Sequence, residues 1–460
     1  MEKIYDLYGT SNLLLFNEES ILDYEPGGYH PVVLGDTLKN GRYKIYHKLG
    51  HGGFSTVWVA RDAVREQWVA IKIVKAKWSD QFRELLALRA LSEHAKGNLG
   101  SKYIVQLVDD FRTEGPNGSH LCLVLELLGP TINITVDDYH QVGERLDAES
   151  IVKISTQLLE ALTFLHEKGF AHGDLSVRNL AFNSGRLSRL SEKELFEILG
   201  PSESEDVTRI DGRALEESVP RQLVKSTEWT GWPDEDDDED ENIRLIDLGE
   251  AFTRENMPAK LAQPEGLQAP ETIFTDKFDS RLDLWRAGLI IYYLTFGVLP
   301  FQWFRIDSLV ASMIDLVGEL PKEWQPKWRQ LRVVFNENVD DQELQGLLPV
   351  IKGLMVFSPA DRISASDAFA LIKSSYGESC AESLNLRLTN PYRRNHMLAY
   401  IVERVAAKKD ATSNNHREEN TSIVVEEMWR YHGLLIVTKE DSSPDFDPSR
   451  YRKDSYPAFY

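Results

Sequence analysis

The sequence contains only two cysteines, Cys122 and Cys380, in 460 residues. Two thiols cannot build a disulfide framework or a cysteine-rich zinc site, so we expect a reducing compartment, the cytoplasm or the nucleus. Long apolar runs are also lacking. The longest, Ala287–Phe301, is too short to span a bilayer and indicates a buried helix, and Leu13–Phe16 is too short for a signal peptide. We therefore expect no membrane insertion.

Positive charge is scarce as well. The chain has 52 Lys and Arg residues against 73 Asp and Glu residues, which gives a formal net charge of −21. A protein that coats nucleic acid needs a cationic surface against the phosphate backbone, so we expect no direct binding of nucleic acid. An acidic surface would instead attract a basic protein or peptide.

Hydrophobic periodicity divides the chain into a β-rich part and a helical part. One amphipathic helix, predicted over Ser79–His94, interrupts the strands, and from about Ala148 the pattern is mostly helical. This order predicts an α+β fold, with a small β-rich lobe joined to a larger, mainly helical lobe near Leu127–Thr131. The predicted strands are residues 42–49, 54–61, Gln67–Val74, Tyr103–Phe111 and Leu121–Leu127.

Changes in composition set the predicted boundaries. The predicted segments are an N-terminal extension (1–40), a first lobe (41–128), a second lobe (129–380) with an insert (183–242), and a C-terminal extension (381–460). The insert is polar and ends in the acidic run Asp234–Glu241. Like charges repel one another, so a solvated loop is the simpler interpretation of the insert, and a docking role is the alternative.

A glycine-rich turn lies between the first two predicted strands, in the sequence LGHGGFSTV. Glycines allow backbone N–H groups to approach phosphate oxygens without obstruction by side chains. Such hairpins are common, so this loop alone is weak evidence of a phosphate site. The residues of this predicted phosphate-binding loop are Leu49, Gly50, His51, Gly52, Gly53, Phe54, Ser55, Thr56 and Val57.

A lysine follows this loop in the sequence VAIK. A lone lysine on a strand is usually solvated, but Lys72 follows a glycine-rich loop and fits a lysine that holds nucleotide phosphates. Such a lysine needs a carboxylate to fix it, and Glu84 in the predicted helix is the candidate.

Three further motifs carry carboxylates. Asp174 ends the triplet His-Gly-Asp and could orient the proton of an attacking hydroxyl, and Asn179 could hold a divalent metal ion. Asp247 begins the triplet Asp-Leu-Gly after a short apolar strand, where its carboxylate can reach Mg²⁺. Glu271 ends the triplet Ala-Pro-Glu. Each triplet arises often by chance, whereas this order and spacing do not.

Together these motifs resemble those of the eukaryotic protein kinases, over roughly Tyr43–Tyr376. The stretch GGYHPVVLGDTLKNGRYKIYHKLGHGGFSTVWVARD is similar to the SR-protein kinases in their fungal form. These kinases also have a serine in place of a third glycine, as at Ser55, a leucine as at Leu248, and a long insert before Asp-Leu-Gly. The resemblance implies a bilobal protein-kinase fold, ATP and Mg²⁺ as cofactors, and transfer of phosphate to Ser or Thr of proteins. It also implies basic or arginine/serine-rich substrates such as splicing factors, and we expect a monomer.

The resemblance assigns further roles residue by residue. The adenine of ATP would bind at the hinge, which includes Glu126 and Leu128. Arg362 would pair with Glu271. Asp283–Gly288 would begin a buried helix that anchors the catalytic loop, the segment from His172 to Asn179. The apolar column that links the lobes would consist of Leu88, Leu107, His172 and Leu248.

Three positions depart from the kinase pattern. Gly173 replaces the arginine of His-Arg-Asp, so a readout of activation-segment phosphorylation is not expected, and Gln268 replaces another arginine. Ser176 replaces a lysine that normally neutralises charge on the transferred phosphoryl group. Arg178 is the nearest cation in the sequence and could replace it, although it could equally face solvent or pair with a carboxylate.

The missing lysine leaves two alternatives to an active protein kinase. The first is a pseudokinase scaffold that binds nucleotide or protein partners with little phosphotransfer. The second is a small-molecule kinase of the aminoglycoside or choline type, since those enzymes lack this lysine and still transfer phosphate. Glu271 and Arg362 disfavour the second alternative because they belong to motifs of the protein-kinase substrate lobe.

Overall fold

The computed structural model describes residues 7–376 except 12–13, 96–97, 142–143, 233–241, 262, 276, 302–305 and 326–341. The strands are β1 (Tyr8–Gly9), β2 (Thr37–Leu38), β3 (Tyr43–Gly52), β4 (Ser55–Asp62), β5 (Gln67–Val74), β6 (Leu107–Gly115), β7 (Gly118–Glu126), β8 (Phe170–Ala171), β9 (Leu180–Asn183), β10 (Ser204–Asp206), β11 (Thr208–Arg209), β12 (Gln222–Val224), β13 (Asn242–Leu245) and β14 (Phe252–Thr253). The α-helices are α1 (Leu14–Asn17), α2 (Arg83–Glu93), α3 (Ile132–Gln141), α4 (Ala148–Glu167), α5 (Glu192–Leu199), α6 (Pro270–Phe274), α7 (Leu282–Phe296), α8 (Ile306–Val317), α9 (Leu348–Leu354) and α10 (Ala365–Tyr376).

A six-stranded antiparallel sheet forms the first lobe, in the strand order β2-β3-β4-β5-β7-β6. Its central strands are rich in β-branched and aromatic residues, which suit a pleated, buried surface. The register pairs Val57 on β4 with Lys72 on β5. The lysine therefore lies beside the end of the glycine-rich turn that joins β3 to β4.

Helix α2 packs beside this sheet and begins later than predicted, at Arg83 instead of Ser79. The Ser79 hydroxyl is committed elsewhere, because it donates to the Lys75 carbonyl oxygen and accepts from the Leu121 amide. The helix buries one face that contains Leu88 and Leu91, together with Glu84. The carboxylate is thereby brought inside the lobe, where it requires a partner.

The second lobe is mainly helical, as the sequence predicts. Asp147 caps α4 by accepting a hydrogen bond from the Ser150 amide, and α7 ends at Gly297, whose φ of +75° favours glycine. Helix α3 has no counterpart among the predicted elements, because its Ile, Thr and Val residues have modest helix propensity. No helix in the described ranges has the length and apolar content needed to cross a bilayer.

The N-terminal extension and the insert pack on each other. Strand β1 pairs with β11, and β10 pairs with β12 within the insert. The described part of the insert is therefore folded, and the prediction of a solvated loop is wrong for it. The acidic run Asp234–Glu241 and the C-terminal extension lie outside the described residues. The apolar side chains that the N-terminal extension and the insert bury together are Tyr8, Leu14, Ile21, Tyr24, Tyr29, Val207, Val219 and Leu223.

A fully buried lysine, Lys48 on β3, ties both segments to the sheet. Its ammonium donates to Glu18 at 2.8 Å, to Glu19, and to the Val224 carbonyl oxygen at 3.1 Å. Glu18 also accepts from the amide and the hydroxyl of Ser226. Because an unpaired buried charge is costly, the three segments stabilise one another at this point.

The electrostatics of this cluster favour a charged Glu19. Burial raises the pKa of Glu19, but the Lys48 ammonium and the Tyr24 hydroxyl outweigh it, and the net pKa lies below the ordinary value. Glu18, Glu19 and His51 offer oxygen and nitrogen atoms within 4.8 Å of one another. Lys48 already supplies the positive charge between the two carboxylates, so the cluster requires no metal ion.

We predict that Lys48→Met lowers the free energy of unfolding at pH 7 by about 3–5 kcal/mol, because two buried carboxylates lose their cation. The loss should shrink near pH 5, since uncompensated burial raises carboxyl pKa values and protonation then removes the buried charge. Urea titrations at both pH values measure this. Lys44→Met, at an exposed position on the same strand, is the control and should change stability by less than about 0.5 kcal/mol. Equal effects of the two substitutions would contradict the prediction.

Candidate active site

Lys72 joins the two lobes through a pair of carboxylates. Its Nζ donates to Glu84 Oε2 at 2.6 Å and to Asp247 Oδ1 at 2.8 Å. The Lys72 and Glu84 side chains are 10% and 1% exposed, whereas that of Asp247 is 47% exposed. The structure thus brings together three residues that the sequence motifs single out, and the outermost carboxylate faces the cleft.

Burial and charge act in opposite directions on these groups. Burial lowers the pKa of Lys72, but Asp247 and Glu84 raise it by more, so the ammonium stays charged. Burial raises the pKa of Glu84 more than Lys72 lowers it. Burial also raises the pKa of Asp247, but Lys72 reverses this and leaves it below the ordinary value. Asp247 is therefore an ionised carboxylate at neutral pH, as a metal ligand must be.

The glycine-rich loop leaves open space where the sequence predicts a phosphate. A Cβ added to Gly50, Gly52 or Gly53 would meet no atom of the described residues within 4 Å, and none of the three has a positive φ. Neither packing nor backbone conformation therefore requires glycine here, which leaves close approach by a ligand as the physical reason. Two of the predicted loop residues, Ser55 and Thr56, have buried side chains in β4.

Asp283 at the start of α7 holds the catalytic loop in place. Its buried carboxylate accepts the amide of His172 at 2.8 Å and the amide of Gly173 at 3.1 Å, and it lies 3.1 Å from His166 Nε2. The Asp174 amide donates to His172 Nδ1, so the opposite ring nitrogen is the donor to the Ile246 carbonyl oxygen. Hydrogen bonds therefore fix the catalytic loop at His172 and Gly173, the two residues before Asp174.

Gly173 is a glycine for conformational reasons as well. Its φ is +79°, and a Cβ there would collide with the carbonyl oxygen of Glu250. A larger residue at position 173 would have to displace the turn that follows Asp247. The loss of the arginine is thus coupled to the local path of the Asp-Leu-Gly segment.

Asp174 is held by Arg286, which lies in the segment Asp283–Gly288; the resemblance gives that segment an anchoring role but assigns no contact to the arginine. Arg286 Nη1 donates to Asp174 Oδ1 at 3.0 Å and to the Leu175 carbonyl oxygen at 3.4 Å. Arg286 is fully buried in α7, whereas the Asp174 side chain is 33% exposed. A charged residue inside an otherwise apolar helix is the signal that could have identified it, because a buried guanidinium needs a partner.

A second carboxylate, Glu250, lies close to this pair. Burial raises its pKa, and the Asp174 carboxylate adds to the rise, whereas Arg83 and Arg286 oppose it. The Asp-Leu-Gly turn therefore places one more acid beside the catalytic loop, and Arg286 is the buried cation shared by the group.

The oxygen atoms of Asn179 and Asp247 fit a hard divalent cation. The two residues lie close together, because β9, which follows Asn179, pairs with β13, which precedes Asp247. In addition, the Ile246 amide donates to the Asn179 carbonyl oxygen. The Asn179 side-chain amide donates to the Asp174 carbonyl oxygen at 2.6 Å, which turns its oxygen outward as an acceptor. A carboxylate and an amide oxygen are ligands that suit Mg²⁺.

The predicted hinge lies under the insert. Glu126 accepts from Arg244 Nε at 2.9 Å and from the Gln106 amide. Leu128 is buried, and a Cβ on the following Gly129 would collide with the ring of Trp232. Trp232 belongs to the insert, so the insert packs against the chain segment that joins the lobes.

The structure puts Arg178, the cation nearest to Ser176 in the sequence, beside helix α7. It is exposed on a short turn and lies close enough to Tyr293 of α7 to lower the pKa of that phenol, against the larger effects of burial and Asp137. The exposure of Arg178 favours the alternative in which it faces solvent or pairs with a carboxylate.

The substrate-lobe pair forms as expected from the resemblance. Arg362 donates two parallel hydrogen bonds to Glu271, at 2.7 and 2.6 Å, and both side chains are buried. This bidentate geometry is the strong form of a guanidinium–carboxylate contact. It fixes α6, which directly follows the segment from Asp247 to Gln268.

The chain matches known kinases in sequence and in fold. Residues 43–192 match the protein kinase domain family. The serine/threonine-protein kinase SRPK of Physarum polycephalum is 29% identical over 74% of this chain and 82% of its own length. The protein kinase dsk1 of Schizosaccharomyces pombe is 40% identical, and the human SRSF protein kinase 3 is 38% identical. These two matches cover 36% and 35% of this chain but only 30% and 29% of those proteins.

A solved structure, the kinase domain of PF14_0431, has a TM-score of 0.52 at 19% identity. It covers 74% of this chain and 97% of its own. This likeness establishes the protein-kinase fold. Together with the family match over residues 43–192 and the site geometry, it indicates a protein kinase that is similar to the serine/threonine-protein kinases of the SR-protein-kinase type.

Proposed function

We propose that the protein uses Mg·ATP to phosphorylate Ser or Thr in basic, arginine-rich segments of other proteins, such as arginine/serine-rich splicing factors. The observation that carries the proposal is the contact of Lys72 with both Glu84 and Asp247. The contact supports the proposal because a cation that would bind phosphate and a carboxylate that would bind a metal ion lie side by side. Nothing in the described residues favours a scaffold without phosphotransfer.

The residues divide the chemistry among them. Lys72 would bind the phosphates, and Asn179 and Asp247 would hold Mg²⁺, which neutralises charge on them. Asp174 orients the substrate hydroxyl and receives its proton. The hydroxyl oxygen forms a bond to the γ-phosphorus as the bond to the β–γ bridging oxygen breaks, which yields a phosphoester and ADP.

Charge supports the proposed class of substrate. The formal net charge of −21 creates a field that attracts a cationic segment and raises its rate of encounter. Two relatives carry names that point to SR proteins, SRPK and SRSF protein kinase 3. The proposal extends to a monomer that works in the cytoplasm or the nucleus, where a free thiol such as that of Cys122 remains reduced.

The N-terminal extension supports the glycine-rich loop in its nucleotide-binding role. The Tyr29 hydroxyl donates to the Gly52 carbonyl oxygen at 2.6 Å, and the Tyr29 ring lies 4.0 Å from Lys75 Nζ. His51 Nε2 lies 3.7 Å from Glu18 of the same extension. The loop is therefore pre-ordered from outside the sheet, which reduces the entropy that ATP binding must overcome.

We predict that Asp174→Ala lowers the rate of phosphotransfer at saturating Mg·ATP by at least about 10²-fold, the lower limit for a positioned general base. Radiolabelled ATP with a protein substrate measures this. The affinity for Mg·ATP should remain near that of the wild type, because Lys72 and Asp247 are unchanged. Equally slow transfer by both proteins would contradict an active kinase and favour the scaffold.

For substrate choice, we predict that kcat/KM is higher for an arginine/serine-repeat peptide than for the same peptide with every arginine replaced by glutamine. The difference should diminish as salt is raised, because screening weakens attraction between exposed charges. The glutamine peptide is the matched control. Equal kcat/KM for the two peptides at low salt would exclude basic substrates but leave the kinase activity standing.

We predict that Tyr29→Phe raises KM for ATP by about 2- to 10-fold with little change in kcat, because one hydrogen bond contributes about 0.5–1.5 kcal/mol. Steady-state kinetics with varied ATP measure this. Tyr8→Phe is the control, since its hydroxyl bonds to Glu216 at 3.0 Å within the same region but does not contact the loop. An equal KM in both variants would show that Tyr29 does not support ATP binding.

A further inference from the structure

The catalytic loop lacks both of its expected cations. Position 173 is a glycine and position 176 is a serine, and Arg178 is exposed near Tyr293. Among the described residues, the guanidinium bonded to Asp174 is that of Arg286, which lies on α7 more than a hundred residues further along the chain. Its position requires an explanation, because α7 is a core helix that is apolar apart from Arg286, Asp283 and a few uncharged polar residues.

A guanidinium in this position is costly to bury. Arg286 is fully buried, and its Nε and Nη2 have no hydrogen-bond partner among the described residues. An apolar side chain of similar volume would pack here without that cost. Stability alone is therefore a poor reason for the arginine, and among the described residues its ion pair is with Asp174.

The two carboxylate oxygens of Asp174 have different contacts. Oδ1 accepts from Arg286 Nη1 at 3.0 Å, whereas the contact that Oδ2 makes among the described residues is a long one, 3.4 Å, with the Asn179 side-chain amide. A carboxylate with one oxygen fixed can turn only slightly, so the second oxygen keeps one direction. Orientation of this kind is a large part of enzymatic rate, and small misplacements are expensive.

We propose that Arg286 is a positioning residue for phosphotransfer: it fixes Asp174 Oδ1 from behind so that Oδ2 faces the substrate hydroxyl and receives its proton. The inference rests on the proposed function. Arg286 does not touch the substrate or the nucleotide, and it acts through Asp174 alone. In this role, Arg286 supplies from α7 a cation for the catalytic loop, which lacks the expected cations at positions 173 and 176.

The first test is Arg286→Gln, which keeps a hydrogen-bond donor but removes the positive charge and the planar guanidinium group. We expect kcat to fall by about 10²-fold, the effect of a misplaced catalytic group, with KM for ATP unchanged. Arg286→Lys, which restores the charge, should recover part of kcat. Arg281→Gln is the matched control, because Arg281 lies just before the same helix, is 42% exposed, and pairs with Asp279. It should keep the wild-type rate.

A double-mutant cycle with Asp174→Ala separates positioning from general damage to the fold. If Arg286 acts through Asp174, Arg286→Gln should lower kcat in the wild-type background and change it by less than about 2-fold in the Asp174→Ala background. Equal losses in both backgrounds would overturn the proposal, as would a wild-type kcat for Arg286→Gln. Thermal unfolding shows whether each variant is folded.

If Arg286→Gln does not fold, the same cycle with Arg286→Lys decides the matter. A loss of kcat confined to the Asp174 background supports the proposal, and a loss that is equal or absent in both backgrounds overturns it. Failure of the proposed function is distinguishable, because the wild-type protein would then transfer no phosphate to any substrate. If the wild type is active and the cycle is additive, only the role of Arg286 is wrong.

Discussion

The ammonium of Lys72 is the charge on which the arrangement of the two lobes depends. It comes from a strand of the first lobe, and it satisfies one carboxylate on α2 and another on the turn after β13. Lys72 and Glu84 would each be expensive to bury alone, since an unpaired charge in a core destabilises a protein by several kcal/mol. The helix, the sheet and the Asp-Leu-Gly turn therefore keep fixed relative positions. The cleft is defined before any nucleotide enters it.

A second set of buried charges organises the opposite side of the cleft. Asp283 and Arg286 lie one turn apart on α7, and each contacts the catalytic loop, the carboxylate through backbone amides and the guanidinium through Asp174. An apolar helix can carry two charges only if both find partners. Here the partners are the backbone and the side chain of the reacting loop, so the core of the second lobe and the site share the same contacts.

Local pattern was sufficient to predict five of the six strands of the first-lobe sheet, the helical character of the second lobe, and the motifs that contain Lys72 and Asp247. It missed β2, and it placed the start of β6 at Tyr103 instead of Leu107. Helix boundaries were less accurate, because they depend on contacts that are distant in sequence. The Ser79 hydroxyl, for example, accepts a hydrogen bond from Leu121, on a strand more than forty residues away. The role of Arg286 and the packing of the insert were not predictable for the same reason. Lys48 meets Val224 only in the folded protein, and no local pattern marks that pairing. Polarity misled for the insert, because its charged residues and the acidic run at its end hid apolar residues that are buried, such as Leu195, Ile198 and Leu223.

The pairing of β1 with β11 and the burial of Lys48 between extension and insert have a consequence for the order of folding. Tyr8 lies opposite Arg209 in the sheet register, so about two hundred residues separate partners that are neighbours in space. Contacts of such long sequence separation form late, because the entropy of closing the loop must be overcome first. The sheet that carries the glycine-rich loop therefore acquires its outer support only after the insert has been synthesised and folded. A fragment cut after the hinge would contain every strand of that sheet and still leave the ammonium of Lys48 without the insert's backbone acceptor.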